Sequence, residues 1–169
     1  MELWILLYPS EIGHSGWWML EVRGQRGENG FTALKIIFSP SLSGYNVKLE
    51  EDGSQNRLNE SMALFKTIME TKIFDHLSII LFLNKKDIFD KKITSFDLKD
   101  TFTDFSGRLK DKDEAKKFIL SKFLESRRSI IYSHMTNAVD QNNLRHVFSA
   151  VKQTIFKRCI DDILRQGLF

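Results

Sequence analysis

Four consecutive residues, Asn84, Lys85, Lys86 and Asp87, follow directly on the mostly apolar run Ser78–Leu83. An ionised Asp only accepts hydrogen bonds, and its two oxygens can take a parallel pair from the ring N–H and exocyclic amine of guanine. Adenine offers no such pair of donors. The Asn84 amide can donate to a purine ring nitrogen and tie neighbouring loops together, while the Lys85 stem can lie flat along a base with its ammonium in water. Taken alone, the four residues serve equally well as charges that solvate a strand end. A second segment weighs against that plain reading. Tyr132–Asp140 (YSHMTNAVD) again ends a strand and carries backbone N–H groups at Asn137 and Ala138 that could meet a guanine carbonyl.

The other reactive side chains point to less. Glu114 and the pair Asp161/Asp162 fall in helical patterns, where solvated faces account for them better than acid–base chemistry. His14, His76, His134 and His146 have no metal-ligand spacing and no cysteine partners, so no metal is assigned to them. Cys159 recurs with an apolar helical stripe and reads as a small core residue. As the only cysteine it excludes an internal disulfide and fits a reducing compartment. Phe96, Phe102 and Phe105 read as loop packing rather than as a binding patch.

The elements that must position these groups follow from periodicity. The chain has 169 residues, enough for one domain that hides roughly two-thirds of its unfolded surface. Its 25 basic and 22 acidic residues leave a net charge of +3, too balanced to argue for nucleic acid. Leu3–Tyr8 is too short to cross a bilayer and lacks the basic flank of a signal peptide. Leu3–Glu11 and Trp17–Val22, separated by Gly13-His14-Ser15-Gly16, predict an antiparallel hairpin, and Ala33–Phe38 predicts another strand. Between Ser54 and Phe74, Leu58, Met62, Phe65 and Met69 recur at three- and four-residue steps, with Leu64 and Ile68 beside them, as in an amphipathic helix.

Leu77–Leu83 predicts a strand buried on both faces. After a polar, phenylalanine-containing loop, Asp113–Ser126 predicts a helix with Ala115, Phe118, Ile119 and Lys122/Phe123 on one side. Ser129–His134 predicts a further strand. Asp140 can cap a long final helix striped by Leu144, Val147, Phe148, Val151, Ile155 and Cys159, with Gly167 just beyond its last turn. Strands alternating with helices of this length imply right-handed βαβ units and a mostly parallel sheet. The fold class is α/β, in which ligands bind beyond the carboxyl ends of the strands.

Longer segments carry a resemblance to a family. LSGYNVKLEEDGSQNRLNESMALF (Leu42–Phe65) followed by SIILFLNKKDIFDKKI (Ser78–Ile93) is similar to the third helix, fifth strand and guanine motif of the alpha subunits of heterotrimeric G proteins. RQGLF at the end is similar to that family's receptor-contacting tail, and the resemblance covers most of the chain. YPSEIGHSGWWMLEVRGQR (Tyr8–Arg26) aligns without gaps to the family's Tyr-Pro-Phe-Asp-Leu hairpin running into Asp-Val-Gly-Gly-Gln-Arg. In that motif the Asp supports magnesium, the second Gly offers its N–H to the terminal phosphate, and the Gln orients the attacking water.

The resemblance therefore implies Gln25 as the catalytic residue and Gly24, Asn84, Lys85, Lys86, Asp87 and Ala138 as nucleotide contacts. It places Glu21 at the magnesium position. Leu164, Gly167, Leu168 and Phe169 become receptor contacts at the end of an amphipathic helix. GTP or GDP and Mg2+ are the implied ligands. A beta–gamma dimer, a G protein-coupled receptor and an effector are the implied partners, and nucleic acid is not. The implied location is cytoplasmic and peripheral, at the inner face of the plasma membrane. With Glu at position 2 this N-terminus carries no lipidation motif.

Several positions depart from the family pattern. Glu21 is one methylene longer than the Asp it replaces, and octahedral magnesium is exacting about ligand geometry. Arg23 stands where the family has its first Gly. GENGFTALKIIF is shorter than the family segment by about six residues, more than one helical turn, taken from the second switch that docks beta–gamma. No Gly is followed by Lys anywhere in the chain, so the phosphate loop G-x-x-x-x-G-K-[ST] does not occur in it. The alignment puts the family's catalytic Arg before Met1 and its magnesium-binding Thr at or before Glu2.

The expectation is one truncated Ras-like GTPase domain over residues 1–169, an incomplete P-loop GTPase fold without first strand, phosphate loop or inserted helical domain. The family's first strand lies between those represented by Trp17–Val22 and Ala33–Phe38, so two unpaired edges and a gap are expected there. The expected function is an alpha-subunit-like transducer coupling membrane receptors to effectors, deficient in GTP binding and hydrolysis as this chain. The alternative is a non-enzymatic decoy that binds receptors through the C-terminal helix.

Overall fold

The computed structural model describes residues 3–12, 15–24, 31–49, 53, 55–72, 77–125, 130–137, 149 and 153. Five strands form one sheet in the order β1 (Leu3–Ile12), β2 (Ser15–Gly24), β3 (Phe31–Ser39), β4 (Ser78–Leu83) and β5 (Ile131–Met135). β3, β4 and β5 run parallel to one another, joined by crossovers that carry α1 (Arg57–Glu70), α2 (Lys86–Lys92) and α3 (Lys112–Leu124). The α/β expectation and the N-terminal hairpin are both present, the hairpin with Tyr8 opposite Met19.

The expected gap is not. β2 pairs directly with β3, antiparallel, from Gly16 opposite Ser39 to Gly24 opposite Phe31. An open edge leaves a row of backbone N–H and C=O groups unsatisfied, and here the two edges satisfy each other. The hairpin thus grows into a three-stranded meander joined to a parallel half.

β4 is buried at every residue, as its unbroken apolar run requires when both faces are covered. Ile79, Leu81 and Leu83 point into the main core with Ile36 and Phe38 of β3, while Ile37, Ile80 and Phe82 are buried on the opposite face. α1 starts where the Asn56 side chain accepts the Asn59 N–H at 2.8 Å, a capping bond that satisfies one orphan donor of the first turn. It buries Leu58, Phe65, Ile68 and Met69. α3 is capped the same way by Asp111, which accepts from the N–H groups of Asp113 and Glu114, and it buries Ala115, Ile119 and Phe123 at four-residue steps. Phe65 joins the two helices to the sheet, with its ring centroid 5.1 Å from Phe38 and 5.4 Å from Phe123.

The loop between α2 and α3 packs through Phe102 and Phe105, both buried against Phe118. Phe96 departs from the expected loop packing: it is 55% exposed and is held by its backbone, its N–H donating to the Lys92 carbonyl at 2.9 Å and its carbonyl accepting the Tyr45 hydroxyl at 2.6 Å. Of the final helix, Ser149 and Gln153 have helical backbone. Its cap Asp140, its apolar stripe and Gly167 lie outside the described residues.

Candidate guanine site

β4 delivers Asn84 at its carboxyl end. The Asn84 N–H donates to the Pro40 carbonyl and its own carbonyl accepts the Leu42 N–H, both at 2.9 Å, so the parallel register continues for one residue beyond β4, with Asn84 opposite Ser41. The Asn84 side-chain oxygen then accepts the Lys85 N–H at 2.7 Å. Lys85 itself is left-handed, with φ 58 and ψ 39, a conformation costing about 1–2 kcal/mol for a residue with a Cβ. That kink ends the strand and begins α2 at Lys86, without glycine or proline. The sequence pattern left α2 unassigned because seven residues give too few turns for a clear apolar stripe. Asp87 lies in the first turn of α2, exposed, and none of the described residues forms an ion pair with it.

The second loop lies beside the first. Thr136 follows β5, 2% exposed; its N–H donates to the Leu83 carbonyl at 2.9 Å and its carbonyl accepts the Lys86 N–H at 3.2 Å. One residue therefore ties the end of β4 to the start of α2, and half-buried Asn137 comes next. Asn84, Lys85, Lys86, Asp87 and Asn137 are gathered at the carboxyl ends of β4 and β5. Ala138 lies outside the described residues.

Gly24 is not brought to them. Because β2 is antiparallel to β3, Gly24 faces Phe31 at the start of β3, whereas Asn84 lies beyond the far end of that strand, where Phe38 faces Leu81. Since Asn84 is opposite Ser41, ten residue steps from Phe31, the separation along the strand is roughly 33 Å at about 3.3 Å per residue. Glu21 sits mid-strand, opposite Leu6 and Leu34. Gln25, Leu164, Gly167, Leu168 and Phe169 lie outside the described residues. Among the described residues no three His, Cys, Asp or Glu side chains converge as a metal site, and no helix is long and apolar enough to cross a membrane.

Two buried groups that support α2 escaped sequence reasoning. Tyr45, fully buried, meets Phe89 of α2 edge-on with ring centroids 5.3 Å apart. Burial pushes its hydroxyl pKa up to about 12, with Asp97 and then Asp100 adding to the rise. Lys116 of α3, 8% exposed, donates to Asp90 of α2 and pairs with Asp113, each at 3.0 Å. Burial works against its charge, but the hydrogen bonds to Asp113 and Asp90 outweigh it and its pKa is raised. Its signal was its place beside Ala115 and three residues before Ile119 on an otherwise apolar stripe, with Asp113 one turn earlier. Glu114 proves to close a loop rather than only to solvate a helix face, accepting from the Arg108 backbone N–H and Nε at 2.7 Å each. Next to α2 an open cavity of about 370 Å³ is lined by Lys86, Asp113, Lys116, Lys117, Leu120 and Met135.

A family model of the G-protein alpha subunit matches residues 8–155. The match takes in every described helix, four whole strands, half of β1 and both loops of the site. The chain belongs to the G-protein alpha subunit family.

Proposed function

We propose that this chain is a guanine-nucleotide-responsive signal transducer whose Asn84, Lys85 and Asp87 read the base, with Ala138 donating a backbone N–H. Members of its family bind GTP or GDP with magnesium, partner with beta–gamma dimers and receptors, and lie at the inner face of the plasma membrane. The observation that carries the reading is the Thr136 bridge, which holds the two base-facing loops side by side through bonds of 2.9 and 3.2 Å. A base bound there would be selected by Asp87, whose carboxylate accepts two donors that only guanine presents together.

The reading includes a deficiency. Phosphoryl transfer draws most of its stabilisation from contacts to phosphate and magnesium. The chain has no Gly-Lys dipeptide, and Gly24 sits at the other end of the sheet from Asn84. GTP binding is weak and hydrolysis negligible for this chain alone, and the short 25–30 connection weakens docking of beta–gamma. Binding of radiolabelled GTP in the micromolar range, or measurable phosphate release, overturns the deficiency.

Asp87→Asn tests base reading. Loss of a charged acceptor costs about 1.5–3 kcal/mol, so signalling in a receptor–effector assay is abolished. Unchanged signalling rejects base reading. A chain that occupies receptors equally well with either residue at 87 and never signals is the decoy instead.

A further inference from the structure

The five-stranded sheet ends on β1, which pairs with β2 and, among the described residues, with no strand on its other side. The opposite edge is β5, only five residues long and including Ser133 and His134. Short, polar edges are one way in which folded chains keep a sheet from pairing further. β1 lacks such guards over its first half. It runs ten residues, Leu3–Ile12, and its stretch Leu3–Tyr8 contains no charge, glycine or proline.

Pro9 tells which backbone groups are open. In an antiparallel pair a residue turns its N–H and C=O to the same side, and successive residues alternate. Pro9 lies opposite Trp18 and has no N–H, so it fits where the missing donor falls on the open side. Ile12 pairs with Ser15 across two intervening residues, the spacing at which flanking residues bond each other, and this again turns even-numbered residues toward β2. Leu3, Ile5 and Leu7 therefore present their N–H and C=O groups to the open edge.

A second β1 laid antiparallel, with Ile5 opposite Ile5, satisfies all three. Leu3 then faces Leu7 and Leu7 faces Leu3, and each pair exchanges both of its N–H···O bonds. Pro9 falls opposite position 1, outside the strand, so its missing donor interrupts nothing. Centring the pair on Leu7 instead would set Pro9 opposite Ile5 and leave a carbonyl there without a donor. A two-fold axis brings the same patch of both copies together, and Leu3–Tyr8 has no charge to repel its own image. We propose that β1 is a self-association edge, through which two copies of this chain pair antiparallel over Leu3–Leu7 about an axis at Ile5. The pairing uses the open β1 edge of both copies, so it closes at two. It stands apart from base reading, whose Asn84 follows β4, three strands away.

Sedimentation equilibrium of the full chain should show a monomer–dimer equilibrium. Leu7→Pro deletes an outward N–H that the ladder to β2 does not use, as Pro9 already does. It should raise the dimer dissociation constant at least tenfold with the far-UV circular dichroism unchanged. Ile5→Lys sets like charges opposite each other at the axis and should give a monomer, and mixing it with Ile5→Glu should restore a dimer. Where one of these variants unfolds, cross-linking decides. Ile5→Cys in a Cys159→Ser background should form an intermolecular disulfide on mild oxidation, since directly opposed Cα atoms about 5.5 Å apart allow it. Leu7→Cys in the same background should not, its two copies lying about 14 Å apart at four residue steps. A chain that stays monomeric at millimolar concentration, a dimer that folded Leu7→Pro leaves intact, or equal cross-linking at positions 5 and 7 overturns the proposal.

Discussion

Lys85 occupies left-handed backbone without being glycine, and the reason is local: the Asn84 side chain fixes its N–H at 2.7 Å. Strain of this kind persists where surrounding contacts over-determine it, here the ladder to Pro40 and Leu42 on one side and Thr136 on the other. Two neighbours set how firmly α2 presents Asp87. For Tyr45 the folded pKa of about 12 lies above the ordinary 10.0, so the fold favours the neutral phenol that donates to Phe96. Its contribution is fully present below pH 10 and is lost as pH rises through 12. Tyr45→Phe should cost about 1 kcal/mol at neutral pH and flatten the fall in Tm between those two values. Lys116 and Lys122 are raised as well, so the comparison with the unsubstituted chain isolates the tyrosine. Lys116→Met should lower stability in urea by about 1–2 kcal/mol, between the values for exposed and buried pairs, because Asp90 keeps its charge without its partner.

At the scale of elements, the sheet and the two long helices meet at three rings. Phe38, Phe65 and Phe123 are each no more than 1% exposed, with all three pairwise centroid distances between 5.1 and 6.3 Å. Phe65→Ala removes the ring common to α1, α3 and β3. The expected cost is about 3–5 kcal/mol, read as a lower urea midpoint with an unchanged slope. α2 is anchored differently, by buried Phe89 and Ile93 on one side and by the Lys116 pair on the other. Such a short helix has little stability of its own, so the position of Asp87 is a property of its neighbours.

For the whole molecule the decisive feature is the antiparallel pairing of β2 with β3. It closes the sheet where the family inserts another strand, and it sends Gly24 away from Asn84. Leu20 and Lys35 are directly opposite, and facing positions on paired strands lie within disulfide reach. Leu20→Cys with Lys35→Cys, in a chain whose Cys159 is replaced by Ser, should therefore form an intramolecular disulfide on mild oxidation. A reduced monomer under those conditions means the two edges are not paired.

Short-range patterns determined a good deal by themselves. The hairpin, α1, β4, α3 and the Asn84–Asp87 motif each declare themselves through spacing, turn residues and one clear apolar face, and the family follows from motifs quoted directly from the chain. Only the tertiary structure decided which strand edges satisfy each other, that Thr136 binds the two loops, and that Lys116 reaches Asp90. Periodicity records which face of an element is apolar; it carries no information about which distant backbone donor, acceptor or charge will complete an unpaired group. That choice is made when the elements pack.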